Sequence, residues 1–542
     1  MSSLRGFEVT SVGAYMTRRK KHKRIKPDEI YVNGPFSMAR FGNVTVSKNF
    51  QSEEEHAKSV NRMAEMYPTV VSDISQLVRE LADEVVKYEP VSILRYSYWA
   101  CAVAALGKTT EPDFDEDDAL KRRMIDYIQC LIVSTPTTGE VRPEISEEQW
   151  DYLLEKVRQL YRKLNFEFHA CDTAVKIRSG TADHEYERIY VQAQIHWANV
   201  RGSRYSIHDI PHIRDLLMPH DEVFKRLFSL SMDEFISGLE RIQWSLIAGP
   251  VEAKGDFDKV QESFLESLSN KQEVADPSDL PKAFLSYLEK SGLKEQFVSA
   301  TGRLFEDDLF DVGLLTRFPP DLMRELAWSP GEDPTFFAEG DFPGWPLRSQ
   351  PINVRPFLKV GSRYYCFDVY SLFDKIYRII QRLIIRLEPG YAEEWKLKQQ
   401  ATSELLPVTL LCRLLPGGTV YRSVYYRDEK GNPCEADALI VFDKTLFVVE
   451  VKAGAFTHSP PTTDFRAYME SIKTLIYKPS MQAKRFLGRL DAQGEVTLYR
   501  TNAMDEELGT IRKSDIDQFA PLSITLDNLT HLASQAENLT AV

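Results

Sequence analysis

No two of the six cysteines (Cys101, Cys130, Cys171, Cys366, Cys412 and Cys434) form a CxxC pair or share a regular spacing. That excludes a disulfide framework and a zinc-finger ligand set, and points to a reducing compartment. The N-terminus has no apolar core ahead of a small-residue cleavage site, so it does not read as a secretory signal, and a cytoplasmic location is expected. No transmembrane span is expected either: the most apolar helical stretch, Ile376 to Leu387, is broken by Arg378, Gln381, Arg382 and Arg386 and falls short of the roughly 20 residues a bilayer demands. It reads instead as an amphipathic helix packed on a core. There is no GxxxxGK[ST] loop, so an ATPase motor is not expected, and no HExxH pair or fixed-period repeat. Cations are not in excess: 67 Lys and Arg stand against 80 Asp and Glu, a net charge of −13, which argues against a protein that coats nucleic acid nonspecifically. Any nucleic-acid contact must use a local basic surface.

What is present is a folding chain of ordinary composition, 43% hydrophobic and 27% charged, and its 542 residues are too many for one core. Residues 1–50 combine short strands with the basic run Arg18, Arg19, Lys20, Lys21, Lys23, Arg24 and Lys26, either a nucleic-acid contact or a solvated end segment. Residues 51–328 carry repeated helical periodicity; Val70, Val71, Ile74, Leu77, Val78, Leu81, Val85 and Val86 make one apolar stripe. Residues 329–356 hold nine prolines and glycines and read as a linker. Residues 357–390 read as a bridging hairpin and helix, and 391–542 as an α/β domain with strands at Val420–Tyr426, Glu435–Asp443, Leu446–Val451 and Leu522–Thr525. The fold class expected is α+β multidomain, mainly helical first and α/β at the C-terminal end.

The segment from Glu435 to Lys452 carries the chemistry. Two apolar runs flank a tight turn at Asp443–Thr445 and should pair as an antiparallel hairpin. Side chains alternate along a strand, so Glu450 and Lys452 share one face while Val449 and Val451 turn to the core. Antiparallel return brings Asp437 beside Glu450. Two carboxylates this close repel unless a cation lies between them, and Mg²⁺, which favours carboxylates, carbonyls and water, is the expected ion.

This arrangement resembles the PD-(D/E)xK phosphodiesterase superfamily, which includes restriction-endonuclease-like and nuclease-related domains. Asp437 matches the acid that opens one strand, and Glu450-Val451-Lys452 matches the E-x-K that ends the next. Ala436 stands where the family often has proline, with Pro433 close by. An upstream helix often supplies another acid, here Glu404 with Glu394 as its rival, and a downstream helix often carries a glutamine, here Gln482. The resemblance covers about residues 391 to 530 and implies a mixed central sheet flanked by helices. It further implies that Asp437, Glu450 and the Val451 carbonyl hold Mg²⁺, with Mn²⁺ able to substitute. Lys452 would orient or help deprotonate the attacking water, or neutralise the developing charge. Gln482 would position water or backbone, and Glu404 would hold a second metal.

The implied activity is endonucleolytic hydrolysis of phosphodiesters, with DNA the expected substrate and defence against phage or foreign DNA the expected setting; host repair or recombination, and a helical interaction protein carrying an inactive nuclease fold, are the alternatives. Lys473, Lys478, Lys484, Arg485 and Arg489 are candidate phosphate contacts or simply the solvent faces of two helices. Partners expected are nucleic acid, a second copy if both strands are cut, and a protein or trigger met by the helical region. Three features are set aside. His208 and His212 flank Pro211 and are not expected to bind zinc. The acidic run Asp113 to Asp118 lacks the glycine and terminal glutamate of a calcium loop and is expected to be solvated. Trp197 and Tyr205 with Arg201 and Arg204 are explained by packing as well as by base stacking.

Overall fold

The computed structural model describes residues 29–33, 36–41, 44–49, 52–105, 116–137, 141–199, 205–269, 280–527, 529 and 532–533. The basic run from Arg18 to Lys26, Arg201 and Arg204, most of the acidic run before Glu116, and most of residues 526–536, where the sequence pattern predicts a helix, lie outside them. Two compact units are present: Met1–Val70 with Glu167–Ala182, and Val71–Phe166 with Asp183–Val542. The first contains an antiparallel three-stranded meander, Glu29–Asn33, Phe36–Phe41 and Val44–Asn49, and a small core of Val60, Ala64 and Ala174.

The second unit is mainly helical and ends in a mixed six-stranded sheet flanked by helices. Residues 329–356, expected as a linker, lie inside this unit and are packed. The backbone is irregular as the composition dictates, yet Phe336, Trp345 and Leu347 are buried and Tyr127 donates a 3.0 Å hydrogen bond to the Gly344 carbonyl. Gly344 is required by close approach rather than by mobility: its φ is +74°, and a Cβ there would lie 2.7 Å from Val78 Cγ1. Asp118, expected in a solvated loop, is instead buried on the Glu116–Ser134 helix.

Ahead of the sheet run α1 (Val369–Leu387) and α2 (Ala392–Leu414). Asp368 caps α1 by accepting from the Tyr370 and Ser371 amides. Next come β1 (Thr419–Arg427), β2 (Pro433–Phe442) and β3 (Thr445–Lys452). Asp443 and Lys444 form the two-residue turn between β2 and β3, both at positive φ (44° and 62°), which matches the twist of a tight hairpin. Helices α3 (Phe465–Ile472) and α4 (Lys478–Gln493) are joined by the π-helical turn Lys473–Tyr477. The chain then adds β4 (Glu495–Tyr499), β5 (Glu507–Arg512) and β6 (Gln518–Thr525). Strand order is β5-β4-β1-β2-β3-β6, antiparallel throughout except that β6 runs parallel to β3. One face packs Leu439, Leu446 and Val448 against Ala483, Phe486 and Leu490 of α4. The other packs Ala438, Ile440, Val449 and Val451 against Val408 and Leu411 of α2. No helix among the described residues is long and apolar enough to cross a membrane.

Helix α2 is seated by an aromatic stack. The buried His220 ring lies on Trp395 with centroids 3.6 Å apart and planes 5° from parallel, and its Nδ1 is 3.1 Å from the Tyr391 hydroxyl. Burial, aided by the Lys398 charge, pulls the His220 pKa down to about 3. The folded protein therefore keeps this ring neutral where the unfolded chain takes up a proton, and stability is lost as pH falls from the ordinary histidine range toward that value. His220→Phe retains the stacking surface without the proton site. The drop in unfolding free energy between about pH 7 and pH 5, read by urea titration, is expected to shrink by about 1–2 kcal/mol. A drop identical to the parent's would show that His220 is not the acid-sensitive group.

Candidate active site

The β2–β3 ladder opens at one residue. Pairing runs from Phe442↔Thr445 back to Ala438↔Val449 and stops there, just short of Asp437. On the other side, β1 pairs at Arg422↔Ala438 and Val424↔Ala436, while Ser423, opposite Asp437, stands at φ +46°. The facing pattern also switches across this point: Ala436 and Leu439 belong to the α4 face, Ala438 to the α2 face. A non-glycine residue in the left-handed region costs about 1 kcal/mol, and such strain gathers at functional positions. The result is a mid-strand break in the β2–β3 ladder, with the Asp437 side chain beside it.

Asp437 uses that break. One carboxylate oxygen, Oδ2, accepts the Val451 amide at 2.6 Å, taking the place of the missing ladder bond. In an extended strand the N–H and C=O of one residue leave by the same edge. The Val451 carbonyl therefore faces the same opening. On its far edge β3 stays paired with β6 through Glu450↔Ser523, Val451↔Ile524 and Lys452↔Thr525, so the strand is held while its inner edge is exposed.

Glu450 is 1% exposed, and its Oε2 has no hydrogen-bond partner. Lys452 Nζ lies 3.8 Å from that oxygen and 3.9 Å from Asp437 Oδ2, close enough to attract both carboxylates but too far to hydrogen-bond. Burial first, then the Asp437 charge, pushes the Glu450 pKa up to about 8, against the pull of Lys452 and Arg485. The neighbouring residues of this strand face, Leu446 and Val448, pack against α4, and the Glu450 carboxyl is desolvated. The sequence pattern brings Asp437, Glu450, Val451 and Lys452 together.

The remaining candidates are placed less evenly. Arg485 of α4 donates to the buried Tyr426 hydroxyl at 3.3 Å, and its charge reaches Glu450. Lys484 is exposed, Gln482 and Arg489 are half-buried, and none of the three has a partner among the described residues. Lys473 and Lys478 lie 4.0 and 3.5 Å from Glu470 and so are turned to a surface acid. Glu404 takes a 2.8 Å hydrogen bond from Gln400, and its charge acts on Glu435 and Tyr425. Its rival Glu394 is tied to Lys398 in the first turn of α2. Glu435 is the acid the sequence reading passed over. Burial, then the Asp437 charge, raises its pKa, while a hydrogen bond from Tyr425 works the other way. The signal was its position two residues before Asp437 on one strand.

Among the described residues no group of three or more His, Cys, Asp and Glu side chains is arranged to hold a metal. The donors on offer are two carboxylates and a main-chain carbonyl. The orphaned, buried Glu450 oxygen facing a second carboxylate is nonetheless the feature a hard cation resolves, because it supplies the charge that burial withholds. No family model, curated protein or solved structure matches the chain with statistical significance.

Proposed function

We propose that this chain, read from its own geometry, is a Mg²⁺-dependent endonuclease of the PD-(D/E)xK kind that hydrolyses phosphodiester bonds in DNA. The observation that carries the reading is the buried Glu450 carboxylate, unpartnered at Oε2 and faced by Asp437 and Lys452 where the β2–β3 ladder opens. The order α2, β1, β2 with Asp437, β3 with Glu450-Val451-Lys452 and α4 with Gln482 supports it further.

Asp437, Glu450 and the Val451 carbonyl would hold the ion, with Mn²⁺ able to replace Mg²⁺. A bound divalent ion supplies Lewis-acid polarisation of the scissile phosphate and a water of lowered pKa. The Val451 amide fixes one Asp437 oxygen and leaves the other for ligation. Lys452 Nζ, tied by no hydrogen bond, orients or deprotonates the attacking water and offsets charge that builds at phosphorus. Arg485 extends positive charge along the α4 side, and Lys484 and Arg489 lie within about one helical turn of it to meet the neighbouring phosphates. Lys473 and Lys478, which share the single acid Glu470, contribute less. Foreign-DNA defence is the setting proposed, by analogy with modular nucleases of this kind.

The test is cleavage of plasmid, linear duplex, single-stranded DNA and RNA with Mg²⁺, Mn²⁺ or EDTA. Metal-dependent cutting of DNA supports the reading. Cutting that persists in EDTA, or inertness toward every substrate, overturns it in favour of a non-catalytic interaction protein.

A further inference from the structure

Just beyond Lys452 the chain is gripped by a buried polar cluster that no catalytic role requires. Arg378 of α1 is 5% exposed, and all five of its N–H donors are used. Nε donates to Asp527 at 2.9 Å; Nη1 donates to the side-chain oxygens of Gln381 and Gln399 at 2.9 and 3.3 Å; Nη2 donates to the carbonyls of Ala453 and Gly454 at 3.4 and 3.2 Å. Gln399 of α2 adds a 2.6 Å hydrogen bond from Nε2 to the same Ala453 carbonyl. Its orientation is fixed, because Oε1 also receives Tyr377, Gln381 and Trp395 at 2.8, 3.2 and 3.2 Å. Asp527, which follows β6, accepts the Phe456 amide at 2.7 Å. The exits of β3 and β6 are thus pinned together by two helices, one residue past the Lys452 end of the ladder.

Buried arginines are costly unless every donor is satisfied, and here two of the five donors are spent on main-chain carbonyls instead of a carboxylate. That is the pattern of a backbone clamp. From these contacts we infer that Arg378 and Gln399 are positioning residues: they set the direction in which β3 leaves the sheet and thereby hold Lys452 Nζ midway between Asp437 and Glu450. The inference rests on the nuclease reading for its catalytic consequence, though not for its structural one.

Arg378→Lys keeps the charge opposite Asp527 and gives up the fork to Ala453 and Gly454. At equal folded content this variant is expected to lose about 10- to 100-fold in kcat with KM within about twofold of the parent, and to shift its pH–rate profile, because the lysine that handles the proton is displaced. Gln399→Leu, which keeps the packing volume and removes the second bond to Ala453, is expected to move kcat in the same direction by a smaller factor. A purely structural role would lower activity only in proportion to the folded fraction and leave the pH profile in place, and that result overturns the proposal. Hydrogen exchange over residues 449–456 reads the clamp without any cleavage assay: faster exchange there in both variants is expected, and unchanged protection overturns the clamp. A parent inert on every substrate, with exchange still accelerated in the variants, would sink the nuclease reading alone.

Discussion

Lys452→Ala is expected to fold, to bind a divalent cation, and to cut DNA about 10³-fold more slowly than the parent. Folding survives because Nζ makes no hydrogen bond and touches its two carboxylates only at 3.8 and 3.9 Å. Cation binding is expected to survive because the ligands proposed above, Asp437, Glu450 and a main-chain carbonyl, are all retained. What disappears is the only cation within 4 Å of both acids among the described residues, and with it the proton handling and charge neutralisation that the proposed mechanism assigns to Lys452. Asp437→Ala separates the roles: it removes a ligand and orphans the Val451 amide, so both cutting and cation-induced stabilisation should vanish. The measurement is plasmid nicking in Mg²⁺ alongside circular dichroism and thermal shift with Mn²⁺. Cutting by Lys452→Ala at the parent's rate would place the chemistry elsewhere.

Glu450→Gln is expected to give the opposite pairing of effects, higher stability with no activity. In the folded protein the Glu450 carboxyl holds its proton up to about pH 8, while the unfolded chain releases it in the ordinary carboxylate range. Between those limits the native state binds more protons, so stability falls as pH rises, by at most about 5 kcal/mol for a group this far shifted. Near pH 8 in EDTA, the amide introduced by Glu450→Gln carries no charge to desolvate, and the variant should melt higher than the parent. Added Mn²⁺ should raise the parent's Tm and leave the variant's unchanged. A variant that melts lower than the parent in EDTA, or that gains stability from Mn²⁺ as the parent does, would show that Glu450 is not a strained, metal-awaiting ligand. Both results together would show stability given up for function at one side chain.

The hairpin and its acids were legible because their determinants are local. Apolar alternation, a two-residue turn and an E-x-K triplet all lie between Glu435 and Lys452, and period-two geometry assigns faces directly. The face of Glu450 was foreseen but not its burial, since α4, which packs on that face of the strand at Leu446 and Val448, comes about 30 residues later in the chain. Strands β4 and β5 escaped notice: a bulge between Leu498 and Tyr499 interrupts the pairing, and only Val496, Leu498 and Ile511 are buried in the two strands. Prolines and glycines in 329–356 described the backbone correctly and the packing wrongly, because composition reports dihedral freedom and says nothing of whether the segment's own Phe336, Trp345 and Leu347 will be buried. Arg378 looked like an interruption of an apolar helix. Its burial is intelligible only when the Ala453 and Gly454 carbonyls, distant in sequence, are brought beneath it.

The Gln399 hub has a consequence for how such a site can be inherited. Of the donors that converge on its Oε1, Tyr377, Arg378 and Gln381 all precede residue 391, and the other, Trp395, is held in place by the His220 ring stacked on it. A segment cut at 391 and grafted to another protein would carry Asp437, Glu450 and Lys452, yet arrive without Tyr377, Arg378 and Gln381, three of the four donors to Gln399 Oε1. Asp437, Glu450 and Lys452 are contiguous in sequence only; in space the chain just beyond them is tied to the helices before it, so on the reading proposed above recombination that moves this segment would have to take α1 along or rebuild those contacts from the new host.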